Sequence, residues 1–499
     1  MSKCILGVSA GFHDAAVAVV ESGVITFAGH SERYSQKKND AELNVALLTD
    51  ALGGRDPDVI AFYENPYKKW LRMLYAGQRP KFYGAHQVKQ HFFPSSTKDI
   101  KTVNYSHHLS HAAAGFQTST FTESIVLVVD AIGEWDTASI WLARYDSQGC
   151  ARYKKLWCLS YPHSIGLMYS AMTKLVGLKP NEDEYILMGM AAYGQSQRKK
   201  VKPWFDGLRS RHNYHIGVPE SLANELSALN SFDLAATAQE MVESKLEKIL
   251  SIAETYAESH RIHNLVYMGG VALNCVANAE LFKNSMWDAV WIMPNPGDAG
   301  SALGAAALAY KHQLEWSGPY LGQAIGKAAD SAAVVQELLS VGIAGVAAGR
   351  AEFGPRALGN RSLLADPRGP AIKDRVNEIK QRQKFRPFAP VILEEYASEY
   401  FDLQGIPGEL SPHMQYAVKC KFPEQFPAIV HHDGTSRVQT VPPGSESGIR
   451  AILEAWFAKT GCPMLLNTSL NIKGQPIVNN AADARNFEEQ YNVKVFLGR

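Results

Sequence analysis

Leu265-Val266-Tyr267-Met268-Gly269-Gly270-Val271-Ala272-Leu273-Asn274 reads as a short apolar strand, a tight glycine turn and the start of a helix that runs on to Phe282. The pattern recurs at once. Val290 to Met293 is apolar, Pro294-Asn295-Pro296-Gly297-Asp298 breaks it, and Ala299 to Tyr310 is an Ala-rich helical stretch. Strands, turns and helices in alternation specify an α/β fold. Just upstream, Leu, Ala and Ile recur at helical spacing between charged residues from Leu222 to Ser259.

The N-terminal part opens with apolar Ile5 to Val8, a glycine-containing turn from Ser9 to Asp14, and apolar Ala15 to Val20. The same shape returns in Ile125 to Val129, the acidic turn Asp130 to Asp136 with Gly133, and Thr137 to Ala143. Two such hairpins heading two half-domains suggest an internal duplication. Any two hairpins share this outline, so the pattern alone leaves the duplication open. Residues from about Gln313 to Asp330 read as a linker, and a second domain of plausible size follows.

The chain has 499 residues, too many for one ordinary core, which implies two or three domains. Apolar residues make up 46% and charged residues 20%, the balance of a globular protein. The formal net charge is +1, which argues against binding nucleic acid by bulk charge. No apolar run approaches the roughly 20 residues that cross a bilayer, so no membrane partner is expected. The N-terminus has no signal-peptide shape, and the six cysteines form no CxxC pair. Reduced thiols in a cytoplasmic protein are the simplest account.

Three places could carry chemistry. In His107-His108-Leu109-Ser110-His111, a helix would set His107 and His111 on one face, where two imidazoles can share one metal ion. Asp130 and Asp298, at the ends of two expected strands, can add oxygen donors. A mixed N/O set suits iron, manganese or zinc better than calcium. Helix capping or core packing of these histidines is the alternative, and His108, on another face, is read as structural. The second place is Gly269-Gly270 with Asn274, and Gly297-Asp298 with Gly300 and Gly304. Such turns bring backbone N–H groups to a phosphate, or simply allow a tight strand-to-helix turn.

The third place lies between Arg350 and Arg386. Ten basic and four acidic residues give this stretch +6. Interleaved Phe353, Gly354, Pro355, Gly359, Phe385, Pro387 and Phe388 resist a uniform helix. A compact polyphosphate ligand, a nucleic-acid backbone, or a solvated basic helix over Lys373 to Lys384 would each account for it. Asp433 to Arg437 and Leu465 to Ser469 end apolar runs with hydroxyls, an amide and an Arg, which could complete a phosphate pocket or form ordinary turns.

Several of these stretches fall into one order. Gly11-Phe12-His13-Asp14-Ala15-Ala16, His107 to Ala112, Met188 to Gly194, Gly269 to Asn274 and Asn295 to Gly304 are followed by Glu352 to Arg368, Phe385 to Pro390, Asp433 to Thr440 and Leu465 to Val478. In that order they resemble the ATP-dependent O-carbamoyltransferases of the nodulation-factor and antibiotic-tailoring type. The resemblance implies a duplicated actin-like ATPase (ASKHA) domain over 1–325 and a smaller YrdC-like α/β domain over 333–499. It implies that the C-terminal domain forms carbamoyl-adenylate from carbamoyl phosphate and ATP. The N-terminal domain then transfers the carbamoyl group to a hydroxyl, with AMP leaving.

By the same resemblance, His107, His111, Asp130 and Asp298 hold a divalent metal, typically Fe(II), and Mg accompanies ATP. His13 orients the carbamoyl group or takes the acceptor proton. Gly11, Gly269, Gly270 and Asn274 bind the nucleotide or adenylate. Arg361, Lys380, Arg382, Arg386, Arg437, Asn467 and Ser469 bind carbamoyl phosphate and ATP. Relatives usually carry Lys-His-Asp where this chain has Lys38-Asn39-Asp40, and often Lys where it has Ile186. The acceptor is left open among a sugar, an antibiotic, a nucleotide and a DNA base, as is the oligomeric state. A tRNA threonylcarbamoyl-transfer-like enzyme and a non-catalytic actin-like nucleotide-binding module are the competing readings.

Overall fold

The computed structural model describes residues 3–205, 207–210, 212–445 and 447–499. Its first sheet is built from β1 (Cys4–Ser9), β2 (Ala16–Glu21), β3 (Val24–His30), β4 (Val59–Phe62) and β5 (Lys101–Asn104) in the order β3-β2-β1-β4-β5. β2 runs antiparallel to both β1 and β3, while β1, β4 and β5 run parallel. The second sheet contains β6 (Glu123–Val129), β7 (Asp136–Tyr145), β8 (Ala151–Ser160), β9 (Asn264–Met268) and β10 (Ala289–Trp291). Read as β8-β7-β6-β9-β10, it repeats the first sheet in strand order and in the sense of every pairing.

Ile125 to Val129 are all buried, which is why this central strand is a continuous apolar run rather than an alternating one. Two helices, His107–Thr118 and Ser301–Tyr310, pack between the sheets. They do so with small residues, Ala112, Ala113, Ala114, Ala302 and Ala306, so the backbones come close. At Gly304 a β-carbon would lie 1.8 Å from the Ser110 carbonyl oxygen, so only glycine fits.

The rest of the chain supplies β11 (Tyr320–Ile325), β12 (Ile343–Ala347), β13 (Gly349–Glu352), β14 (Arg361–Ala365), β15 (Ala389–Leu393), β16 (Ala417–Lys419), β17 (Thr435–Arg437), β18 (Gln439–Val441), β19 (Met464–Ser469) and β20 (Val495–Leu497). Six of them form a mixed sheet, β18-β15-β19-β14-β12-β20. The stretch read as a linker is instead partly a strand. β11 pairs antiparallel with β13, so the two parts of the chain are joined by a ladder as well as a peptide.

Two helical readings are corrected. The stretch from Leu222 to Ser259 divides into Glu220–Leu226 and Ser231–His260, because the Asn230 side chain accepts the N–H groups of Phe232 and Asp233 and restarts the helix. The helix expected from Val271 starts properly at Cys275. Gly270–Leu273 is a 3₁₀ turn, and Asn274 caps the Ala277 N–H.

Candidate functional site

Both repeated hairpins aim their turns at one point. The β1–β2 turn carries His13 and Asp14, β6 ends on Asp130, and Asp298 follows the break after β10. The first turn of the His107–Thr118 helix presents His107 and His111 there. His107 Nε2 is 3.1 Å from His111 Nε2, 3.1 Å from Asp130 Oδ2 and 3.3 Å from Asp298 Oδ1. His111 Nε2 is 3.6 Å and 3.4 Å from the same oxygens. All four residues are buried, and one ligand atom from each lies within 4.8 Å of the others.

These spacings fit a shared cation. Two donors each about 2.1 Å from one ion are separated by roughly 3.0 to 3.4 Å for octahedral or tetrahedral angles. The donor set, two imidazole nitrogens and two carboxylates, suits a borderline divalent metal. Burial by itself lowers the pKa of His107, yet Asp298 and Asp130 hold it well above the ordinary histidine value. His111 is raised by the same carboxylates. Burial opposes ionisation of Asp130, but hydrogen bonds from His107 and His111 take it well below the usual carboxylate range. Asp298 is lowered likewise.

Neighbouring groups fix this arrangement. Glu134 is buried, and one of its oxygens accepts the backbone N–H groups of His107 (3.0 Å) and Asn65 (2.7 Å), which fastens the start of the helix to the end of β4. Glu64 lies 3.9 Å from His107 Nδ1 and is itself paired with Lys69. Asp130 Oδ1 accepts the Gly270 N–H at 3.0 Å. His13 Nδ1 is 3.0 Å from Asp14 Oδ2, and its Nε2 is 3.7 Å from Asp298 Oδ2. Burial pulls the His13 pKa down, but the Asp14 hydrogen bond and the Asp298 charge carry it up to about 9.

Asp130 and Asp298 of the quartet line a cavity of about 670 Å³, the size of a small-molecule site. At its far side the lining includes Arg356, Lys380, Arg382, Arg386 and Arg437. The arginine ion pairs of that half belong to Arg368, Arg450 and Arg499, and the five cavity cations have none among the described residues. Burial and their mutual repulsion lower Arg382 well below its ordinary value and Arg356 to about 9. Lys380, depressed by burial and by Arg382 and Arg386, donates to the Ser469 hydroxyl and to Asn471. A cluster of desolvated, unpaired cations favours an incoming polyanion.

Comparison with known proteins gives these features a setting. The family model described as "Carbamoyltransferase N-terminus" matches residues 4–307, and "Carbamoyltransferase C-terminus" matches 335–497. The chain belongs to the carbamoyltransferase family. It is 33% identical to the Synechocystis sp. protein sll1178 over 96% of this chain and 93% of that one. Nodulation protein NolNO of Sinorhizobium fredii is 32% identical over 95% of this chain and 76% of its own length. Nodulation protein U of the same species is 29% identical over 95% and 94%.

In this carbamoyltransferase, several expected ligand-binding residues have other work. Arg361 is completely buried and does not line the cavity. Its guanidinium donates to the carbonyl oxygens of Ala348, Gly349, Asn360, Gln323 and Asn479. It is a brace inside the fold, which corrects its assignment to carbamoyl phosphate or ATP. Gly11 and Gly269 also stay off the cavity wall. Gly269 has φ +95°, and a β-carbon there would lie 2.1 Å from the Val129 carbonyl oxygen. Gly270 does line the cavity, but its N–H is committed to Asp130 rather than free for a phosphate.

Asn274 lines the cavity and exchanges hydrogen bonds with Gln239. Lys380, Arg382, Arg386, Arg437, Asn467 and Ser469 all line it. His108 is as expected, with Nδ1 2.7 Å from the Ser139 hydroxyl. The aspartates of the quartet and the cation cluster line one continuous chamber. Ile186 is buried in the core and away from that chamber, whereas Asn39 lines it in a left-handed conformation, φ +53°.

Two residues escaped the sequence reading, and a third, Arg356, entered it only as one member of the basic stretch. Arg356 faces the chamber five residues before Arg361. Gln239 and Glu243, spaced i and i+4 on the Ser231–His260 helix, face it opposite Asn274. Their signal was present only as polar residues on an otherwise apolar helix face.

Proposed function

We propose that this carbamoyltransferase builds carbamoyl-adenylate from ATP and carbamoyl phosphate and passes the carbamoyl group to a hydroxyl acceptor. The observation that carries the reading is that the unpaired cation cluster and the two aspartates of the His/Asp quartet line the same chamber. A mixed anhydride of this kind hydrolyses readily in water, so an intermediate that never leaves the protein needs a shared enclosure. The repeated five-stranded sheets fit the duplicated actin-like unit over 1–325, and the six-stranded mixed sheet fits the YrdC-like unit over 333–499.

The cation cluster would bind both phosphate-bearing substrates. Arg356, Arg382, Arg386 and Arg437 neutralise the polyphosphate, and Lys380 with Ser469 holds an oxygen at the chamber wall. Atom balance requires both leaving groups. A carbamate oxygen attacks the α-phosphorus of ATP and pyrophosphate departs, after water has released inorganic phosphate from carbamoyl phosphate. In the transfer step the acceptor oxygen attacks the carbamoyl carbon, the bond to AMP breaks, and the hydroxyl proton goes to a base. His13, oriented by Asp14, would take it only in its neutral form; with its pKa carried up to about 9, at neutral pH it would instead donate to and orient the carbamoyl group. His107, His111, Asp130 and Asp298 would hold a divalent ion, Fe(II) by the resemblance, which supplies positive charge for the adenylate phosphate. Mg would accompany ATP. Six free cysteines fit a reducing, cytoplasmic setting.

The test is a panel of hydroxyl compounds (sugars, aminoglycosides, nucleosides and hydroxymethylated bases) incubated with enzyme, ATP and carbamoyl phosphate. A gain of about 43 Da in one of them, with AMP and pyrophosphate released, supports the reading. Acceptor-independent hydrolysis of ATP to ADP would refute it.

A further inference from the structure

The helix Pro66–Tyr75 carries its apolar stripe outward. Tyr67, Trp70, Leu71, Leu74 and Tyr75 recur at i, i+3, i+4, i+7 and i+8, the spacing of one helix face. All five are exposed, Tyr67 by 68%, Leu71 by 54% and Tyr75 by 70%, while Pro66 and Arg72 face inward. The chain then runs back along this helix, because the Gln78 side chain accepts from Arg72 and Phe82 packs edge-on against Tyr67 at 4.8 Å.

The patch extends at both ends. Gln78 also meets His215, whose neighbour Ile216 is 86% exposed. Lys69 lies over the ring of Phe12, itself exposed and tilted against His13 with ring centroids 4.7 Å apart. Eight of the fifteen exposed large apolar residues among those described thus gather around one ten-residue helix. A patch of this kind marks an interaction surface rather than scatter.

Charge narrows the partner. From Asn65 to Lys98 there are seven Lys or Arg and no Asp or Glu. Lys69 and Lys98 are paired with Glu64 and Asp58, whereas Lys68, Arg79 and Lys81 are exposed and have no ion pair among the described residues. A two-fold contact between copies of this chain would set these cations against their own kind. A nucleic-acid strand would satisfy the charge and could stack on the exposed rings, but it would leave the aliphatic Leu71, Leu74 and Ile216 without an apolar partner. Aliphatic residues at the centre, Tyr and Trp beside them and cations at the edge are together the composition of a helix lying in a lipid interface.

We propose that this face docks on an anionic lipid surface, with the stripe at the acyl boundary and Lys68, Arg79 and Lys81 on the headgroups. No described helix is long and apolar enough to span a membrane, so the attachment is to the surface alone. It goes beyond the carbamoyl-transfer reading and does not depend on it. Docked so, Phe12 faces the headgroup layer.

The experiment is co-sedimentation of the full chain with vesicles of phosphatidylcholine, alone or mixed equally with phosphatidylglycerol. Binding is expected to the mixed vesicles, to weaken with salt and to be small on phosphatidylcholine alone. The double variant Leu71→Ser/Leu74→Ser loses about tenfold or more. Each near-surface cation contributes about fivefold, so Lys68→Gln/Arg79→Gln/Lys81→Gln loses roughly 100-fold. The five substituted side chains are exposed, and unchanged thermal melts confirm that the fold is intact. Failure of the parent chain to bind mixed vesicles overturns the proposal, as does binding that neither variant weakens. A dimer in light scattering that the leucine variant dissociates, or capture of a single-stranded oligonucleotide, in either case without vesicle binding, does the same.

Discussion

Asp130 and Asp298, which close two different strand ends, both place a carboxylate oxygen on His107 Nε2, at 3.1 Å and 3.3 Å. That convergence joins the two sheets, since the second delivers both carboxylates, after β6 and after β10, to a histidine pair on the helix that follows β5 of the first.

Metal retention should therefore depend on both acids and on pH. Asp298→Asn is expected to purify with substoichiometric metal while melting as a folded protein. The carboxylates hold His107 and His111 above their ordinary value, so protons compete with the ion from above neutrality downward. The sign follows: bound metal falls as pH falls and is regained as pH rises. Elemental analysis of parent and variant after dialysis across a pH series checks this, and equal metal in both would remove Asp298 from the ligand set.

Two arginines from the same half should give opposite phenotypes. Arg361→Ala strips five carbonyl oxygens of their donor inside the fold, and each buried acceptor left unmade costs about 1 to 3 kcal/mol, so severe destabilisation is expected. Arg437→Ala should melt like the parent and lower pyrophosphate release on the order of 10- to 100-fold, the value of one charge-assisted contact. Thermal melts beside a pyrophosphate assay separate the two.

Glu243 should be a stability liability at high pH. Burial pushes its pKa up to about 7, against a hydrogen bond from Gln239 that lowers it. The folded chain thus binds this proton more tightly than the unfolded chain, and the penalty grows as pH rises from the ordinary carboxylate range through about 7. Glu243→Gln is expected to gain roughly 2 kcal/mol near pH 8 and little near pH 5, read by denaturant melts at both.

Much of this was legible in the sequence. Strand, glycine turn and helix pointed to the class, and the two hairpins at Ser9–Asp14 and Asp130–Asp136 suggested, without deciding it, the repeat that strand order displays. His107 and His111 were readable because a fixed helical spacing decides which side chains share a face. The basic stretch was readable as a cluster but not residue by residue. Arg356 and Arg361 differ only in whether strand β14 turns the side chain into the core, and composition is blind to that. The interruption at Asn230 was missed for a related reason. A side-chain cap restarted the helix where apolar spacing alone continued it.

The division of labour between the two ends of one chamber is tested most directly by His111→Ala, assayed for pyrophosphate release and for acceptor carbamoylation in the same reaction with ATP and carbamoyl phosphate. The account predicts a folded variant that still releases pyrophosphate, while carbamoylated acceptor falls below detection. Equal loss of both products in a folded variant would contradict it.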